Sequence, residues 1–78
     1  MAYTYFGGPS DEVLKRLRNK YKTGTRVELI QMNDPYRYLA PGLQGSVAHV
    51  DDMGTIFVNW DNGSTLGVVY GVDLIKEV

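Results

Sequence analysis

The sequence predicts a mainly β fold: a small barrel of about five strands with one N-terminal α-helix over about residues 10–21. Three observations carry this reading. Residues 54–60 alternate, with Ile56, Val58 and Trp60 on one face and Thr55, Phe57 and Asn59 on the other, the period-2 signature of a half-buried strand. That strand runs directly into Asp61-Asn62-Gly63. Asn-Gly after such a run signals a hairpin, because both residues tolerate the positive φ of a type I′ turn. Upstream, Val13, Leu14, Leu17 and Tyr21 recur at helical spacing.

Taken in order, residues 1–9 form an arm, Tyr3-Thr4-Tyr5-Phe6 followed by Gly7-Gly8, suited to pairing with the barrel or with a second copy of the chain. Ser10 is placed as an N-cap, and Asp11 and Glu12 favour the first helical turn. The helix opposes its apolar face with Lys15, Arg16, Arg18 and Lys22, and Gly24 is read as its stop. Residues 25–32 make a strand centred on Val27, Leu29 and Ile30. A connection over 33–44 follows, with turn chemistry in Asn33-Asp34-Pro35 and Pro41-Gly42 and with Tyr36, Arg37 and Tyr38 between them. Residues 45–50 are the next strand, 51–54 the turn into the Trp60 strand, and 65–70 the other arm of the Asn62-Gly63 hairpin. Gly71 ends it, and Leu74, Ile75 and Val78 close the chain. Helix, strand, long loop, three-strand meander and short last strand is the plan of an SH3-like barrel, here a single domain over residues 10–78.

Seventy-eight residues without cysteine exclude a disulfide framework and a thiolate metal site, and fit a reducing cytoplasm. No apolar run has the length of a membrane span, and no secretory leader pattern opens the chain, so no membrane role is expected. The net charge of −1 hides an asymmetry. Residues 1–39 carry +3 and residues 40–78 carry −4, with five of the eight basic residues between Lys15 and Lys22. A dipolar molecule of this kind is not a general polyanion binder.

Catalysis finds little support. The one histidine, His49, sits in a strand away from any serine elbow, and His49, Asp51 and Asp52 are too closely spaced along a strand and turn to converge on a metal. Asp51, Asp52, Asp61 and Asp73 sit where turns need acids, and the glycines match no phosphate-binding fingerprint. No catalytic residue, metal or cofactor is therefore expected. Trp60, Asn62 and Gly63 are assigned structural roles. The candidate recognition surface is Tyr36, Arg37, Tyr38 and Phe57, extended by Tyr3, Tyr5 and Phe6 of the arm. Its expected partner is a protein; Arg16 and Arg18 are held as contacts in an alternative in which phosphates of a nucleotide or nucleic acid are bound.

The residues Gly24-Thr-Arg-Val-Glu-Leu-Ile30, Asn33-Asp-Pro-Tyr36, Pro41-Gly42, Gly45, Asp51-Asp52, Gly54-Thr-Ile56, Trp60-Asp-Asn-Gly-Ser64, Leu66-Gly67 and Gly71-Val-Asp73 together resemble domain of unknown function 4314. The resemblance implies a short module of bacteria, phages or mobile elements, and it brings no catalytic residues. A second similarity is to the Mib–Herc domain, an SH3-like module that binds protein segments. There, too, a strand ends in Trp-Asp-Asn-Gly and a later Asp-Leu, here Asp73-Leu74, closes the barrel. Tyr3 to Phe6 and Phe57 depart from the bacterial pattern, which is where a function particular to this chain is expected. The expected role is a non-catalytic adaptor. A phage counter-defence protein, which blocks a host immune protein or sequesters a nucleotide messenger, is the alternative, and a nucleic-acid-binding accessory protein is a further one.

Overall fold

The computed structural model describes residues 9–34, 36 and 38–78. Its elements are α1 (Asp11–Lys20), β1 (Arg26–Gln31), β2 (Gln44–Val50), β3 (Thr55–Trp60), β4 (Val68–Val69) and β5 (Leu74–Glu77). The five strands form one open antiparallel sheet in the order β4-β3-β2-β1-β5. The mainly β plan of five strands and one N-terminal helix is thus the one observed. Among the described residues no ladder closes the barrel, and β4 and β5 are the sheet's two edges.

Ser10 caps α1 as expected, its Oγ accepting from the Val13 N–H at 3.3 Å, with Asp11 and Glu12 in the first turn and Arg18 and Lys20 in the last. Leu14, Leu17 and Tyr21 are buried and Val13 packs partly against the core. Gly24 does not stop the helix. Lys20 is its last residue, and the Tyr21 N–H donates to Leu17 C=O at 2.8 Å. Gly24, at φ 92°, is instead the third residue of a turn closed by Thr25 N–H to Lys22 C=O. Its own N–H reaches Val47 C=O at 2.8 Å, which steers the chain from the helix onto β2.

Two bulges set which side chains enter the core. In β2 the register shifts between Val47 and His49, so Val47 and Val50 are both buried and His49 is turned to the outer face. In β1 alternation from Val27 and Leu29 turns Ile30 outward, 40% exposed, and the shift between Leu29 and Gln31 then brings Met32 inward in place of Gln31. Ile30 is therefore not a strand-core residue like Val27 and Leu29, which are fully buried. One apolar cluster joins these residues to Leu17, Tyr21, Leu39, Val58, Trp60 and Val68.

The hairpin after Trp60 departs from the two-residue type I′ turn. Gly63 N–H donates to Trp60 C=O at 3.0 Å and Trp60 N–H to Ser64 C=O at 2.9 Å. Asp61 and Asn62 are thus the central residues, and Gly63 takes the positive φ of 91° in the fourth position, the pattern of a type I turn with a glycine bulge. The expected strand over 65–70 contracts to Val68 and Val69. Residues 65–67 stand outside the ladder, and the groups of Leu66 bond elsewhere: its C=O accepts from Trp60 Nε1 at 2.9 Å, and its N–H donates to Ser64 Oγ.

Candidate functional site

β3 separates two environments. Ile56, Val58 and Trp60 are buried, at 3%, 1% and 3% exposure, while Phe57 stands half-buried on the outer face. The β2 bulge brings His49 opposite Phe57, and the two rings stack at 4.8 Å with a 19° interplanar angle. Beyond Phe57, Gly67 lies against the strand. A Cβ there would stand 2.6 Å from Thr55 Cγ2 and 3.2 Å from Phe57 Cε1, so only glycine lets the chain approach this closely.

The 33–44 connection completes the site. Leu39 is buried in the core cluster and ties the middle of the connection down. The Asp34 carboxylate accepts from Tyr36 N–H at 2.8 Å, a local turn that shapes its start. Tyr38, 70% exposed, then faces Phe57 across an open groove of about 630 Å³. Thr55, Leu66, Gly67 and Val69 supply the rest of its apolar floor, with Asp34, Ser64 and Thr65 adding polar groups. A mixed groove with one protruding tyrosine suits an extended peptide or a ring-bearing side chain.

Of the residues singled out from sequence, Tyr38 and Phe57 meet in this groove and the others do not. Tyr36 projects 92% exposed outside it. Arg37, Tyr3, Tyr5 and Phe6 lie outside the described residues. Arg16 is exposed on α1, away from the groove, and Arg18 is already engaged: its guanidinium meets Asp52 at 2.7 Å and Val50 C=O at 3.4 Å. Asn62 serves its turn, its Oδ1 accepting from Ser64 N–H at 3.0 Å.

The acidic residues divide by task. Asp51 does hold a turn, its carboxylate accepting from Met53 and Thr55 N–H at 2.9 Å. Asp52 instead pairs with α1 through Arg18. Asp61 pairs with Arg26 through two bonds of 3.0 and 2.6 Å, with Ser46 Oγ accepting from the same guanidinium. That hydrogen bonding holds the Asp61 carboxyl below its ordinary range and raises Arg26. Asp73 is a clamp: 8% exposed, it accepts from Asn33 N–H at 2.7 Å and Val69 N–H at 3.0 Å, while Asn33 Nδ2 donates to Val72 C=O. It therefore fixes the start of the loop bearing Tyr38 and satisfies the outer side of edge strand β4. Among the described residues no group of three or more His, Asp and Glu is placed to hold a metal ion, and no helix is long and apolar enough to cross a membrane.

The family model described as domain of unknown function (DUF4314) matches residues 10–78. The chain belongs to this family. The matched span of the DUF4314 domain takes in the whole groove, the Asp73 clamp and both ion pairs. No curated protein matches the chain. In this DUF4314 domain, His49, Leu39 and Gly67 are the site residues that sequence reasoning missed. Leu39 had a signal, one of two leucines inside a turn-rich connection. The place of His49 depended on a bulge that alternation does not reveal.

Proposed function

We propose that this DUF4314 domain is a non-catalytic binding module that recognises a short protein segment in the groove between Tyr38 and Phe57. The observation that supports it most is the convergence of three chain segments on that groove: the 33–44 connection, the outer face of β3 and residues 64–69. Each is pinned from below, by Leu39 in the core, by the β3 ladder and by the Trp60 to Leu66 hydrogen bond. Exposed aromatics held on a fixed frame are the usual anchors of peptide recognition.

A non-catalytic role accords with how the reactive groups are used. His49 stacks on Phe57, Asp51 caps a turn and Asp73 bonds two backbone amides. Phosphate recognition draws less support, because Arg18 is paired with Asp52 and neither Arg16 nor Arg18 borders the groove. Selection of a random-peptide display library on the wild-type chain tests the reading. Enriched peptides should lose at least tenfold in affinity for Tyr38→Ala, a difference of about 1.4 kcal/mol. Peptides that bind Tyr38→Ala equally well, or preferential binding of mixed oligonucleotides at physiological salt, would overturn it.

A further inference from the structure

The outer face of the sheet carries a second concave surface beside the groove. Phe57, which lines the groove, is stacked at 4.8 Å on His49 of the neighbouring strand β2. His49 in turn lines a depression of about 380 Å³ between the end of α1 and the end of β2. The Phe57–His49 stack is therefore a ridge between the two, and a ligand lying in one reaches the other by crossing two rings.

The two surfaces differ in chemistry. The groove is built mainly from rings and aliphatic groups around Tyr38 and Phe57, whereas Arg18, Lys22 and His49 border the depression. The chain path places them there. Gly24 N–H donates to Val47 C=O at 2.8 Å and Thr23 Oγ1 to Ala48 C=O at 2.9 Å, which lays residues 22–24 along β2 and brings Lys22 to the His49 side. Arg18 is held by Val50 C=O at 3.4 Å and by Asp52 at 2.7 Å. Asp52 offsets the charge of Arg18, so Lys22 is the main source of positive potential, and His49 adds a ring N–H donor. One lysine beside an already paired arginine suits a single carboxylate better than a phosphate dianion.

We propose that the protein segment taken by the groove carries an aspartate or glutamate beyond its apolar anchor, and that Lys22 and His49 receive its carboxylate. This rests on the peptide-binding role of the groove and adds the charge of the partner to it. The anchor fills the space between Tyr38 and Phe57, the segment crosses the ridge, and the acid enters the basic depression. Neighbouring strands lie about 4.8 Å apart, so passing from β3 over β2 takes about 10 Å, the span of about three extended residues. The acid therefore stands about three residues from the anchor. The desolvated anchor supplies most of the affinity, and the charge at the rim sets orientation and register.

The test uses the peptides selected from a display library on the wild-type chain. Those that lose affinity for Tyr38→Ala should be enriched in aspartate or glutamate at one fixed distance from their apolar residue. For the most enriched of these, Lys22→Gln should weaken binding about two- to fivefold in low salt, the range of an exposed ion pair, and added salt should shrink the difference. A counterpart peptide with the acid replaced by its amide should bind wild type and Lys22→Gln equally. Lys22 is exposed and lies outside helix and strand, so the variant should keep the wild-type circular dichroism spectrum. Tyr38-dependent peptides without such an acid, or an equal effect of Lys22→Gln on the acidic peptide and its amide, would overturn this assignment and leave the groove's role standing. A selection that yields no Tyr38-dependent peptide would overturn both.

Discussion

The two faces of β3 are built from alternate residues of one hexapeptide, yet they do different work. The inner face is closed: Ile56, Val58 and Trp60 are packed, and the single polar atom of Trp60 is bonded to Leu66 C=O. The outer face is left unfinished. Phe57 has a histidine on one side, a glycine beneath and an open groove leading to Tyr38. Apolar surface that is ringed by ordered backbone and still open to solvent is costly to keep, and binding is the commonest reason for keeping it. The difference teaches that the packing that holds the fold together resides on one side of the strand, and that the surface proposed for recognition lies on the other.

The sharpest way to break this division is Trp60→Ala. Truncating a buried tryptophan costs about 3–5 kcal/mol, a large share of the stability of so small a domain. Urea unfolding followed by circular dichroism should show a loss of that size. A variant as stable as the wild type would place Trp60 outside the core.

Asp73→Ala comes next, because it acts on both faces. It removes the acceptor of two backbone amides, at about 1–3 kcal/mol for each left unsatisfied. It should also loosen the start of the Tyr38 connection, so peptide affinity should fall along with stability. Asp73→Asn, which keeps one oxygen acceptor, should recover part of both. Equal loss in the two variants would point to the charge rather than to the bonds.

Tyr38→Ala is the complementary change. Stability should stay within about 0.5 kcal/mol of wild type, since Tyr38 is an exposed side chain, while groove binding drops. A large fall in melting temperature would move Tyr38 from recognition to packing.

The smallest expected effect belongs to the exposed Arg26–Asp61 pair, which ties β1 to the turn after β3. Arg26 holds the Asp61 carboxyl below its ordinary range, so the ionised form is favoured in the folded chain. Its contribution is present above the ordinary carboxylate range and is lost as pH falls through the lowered value. Melting temperature measured from neutral to acid pH should show this increment in low salt. Arg26→Gln should remove it, and added salt should shrink it, because the pair is exposed.

Local pattern revealed what depends on neighbours in sequence. Ser10 and the Val13, Leu14, Leu17, Tyr21 spacing predicted α1, and strict alternation predicted β3 and its two faces. It failed where distant groups decide. The β2 and β1 bulges rephase His49 and Met32 through strand register, and the 65–67 segment stands outside the ladder, where Leu66 C=O meets the Trp60 indole. Asp73 reads as a turn residue, but its carboxylate bonds a residue forty positions away. Tyr38 and Phe57 were each legible as exposed aromatics. That they share one groove required Leu39 in the core and Gly67 against β3, and the leucine's local signal does not say which groove it shapes.

The most direct test of the central division is to titrate a selected peptide into isotopically labelled chain and follow every backbone amide. The account predicts shifts at Thr55, Phe57, Leu66, Gly67 and Val69 and in the Tyr38 connection, with Leu14, Leu17 and β1 unmoved. Shifts centred on α1 or on β1, with the Phe57 groove silent, would contradict it.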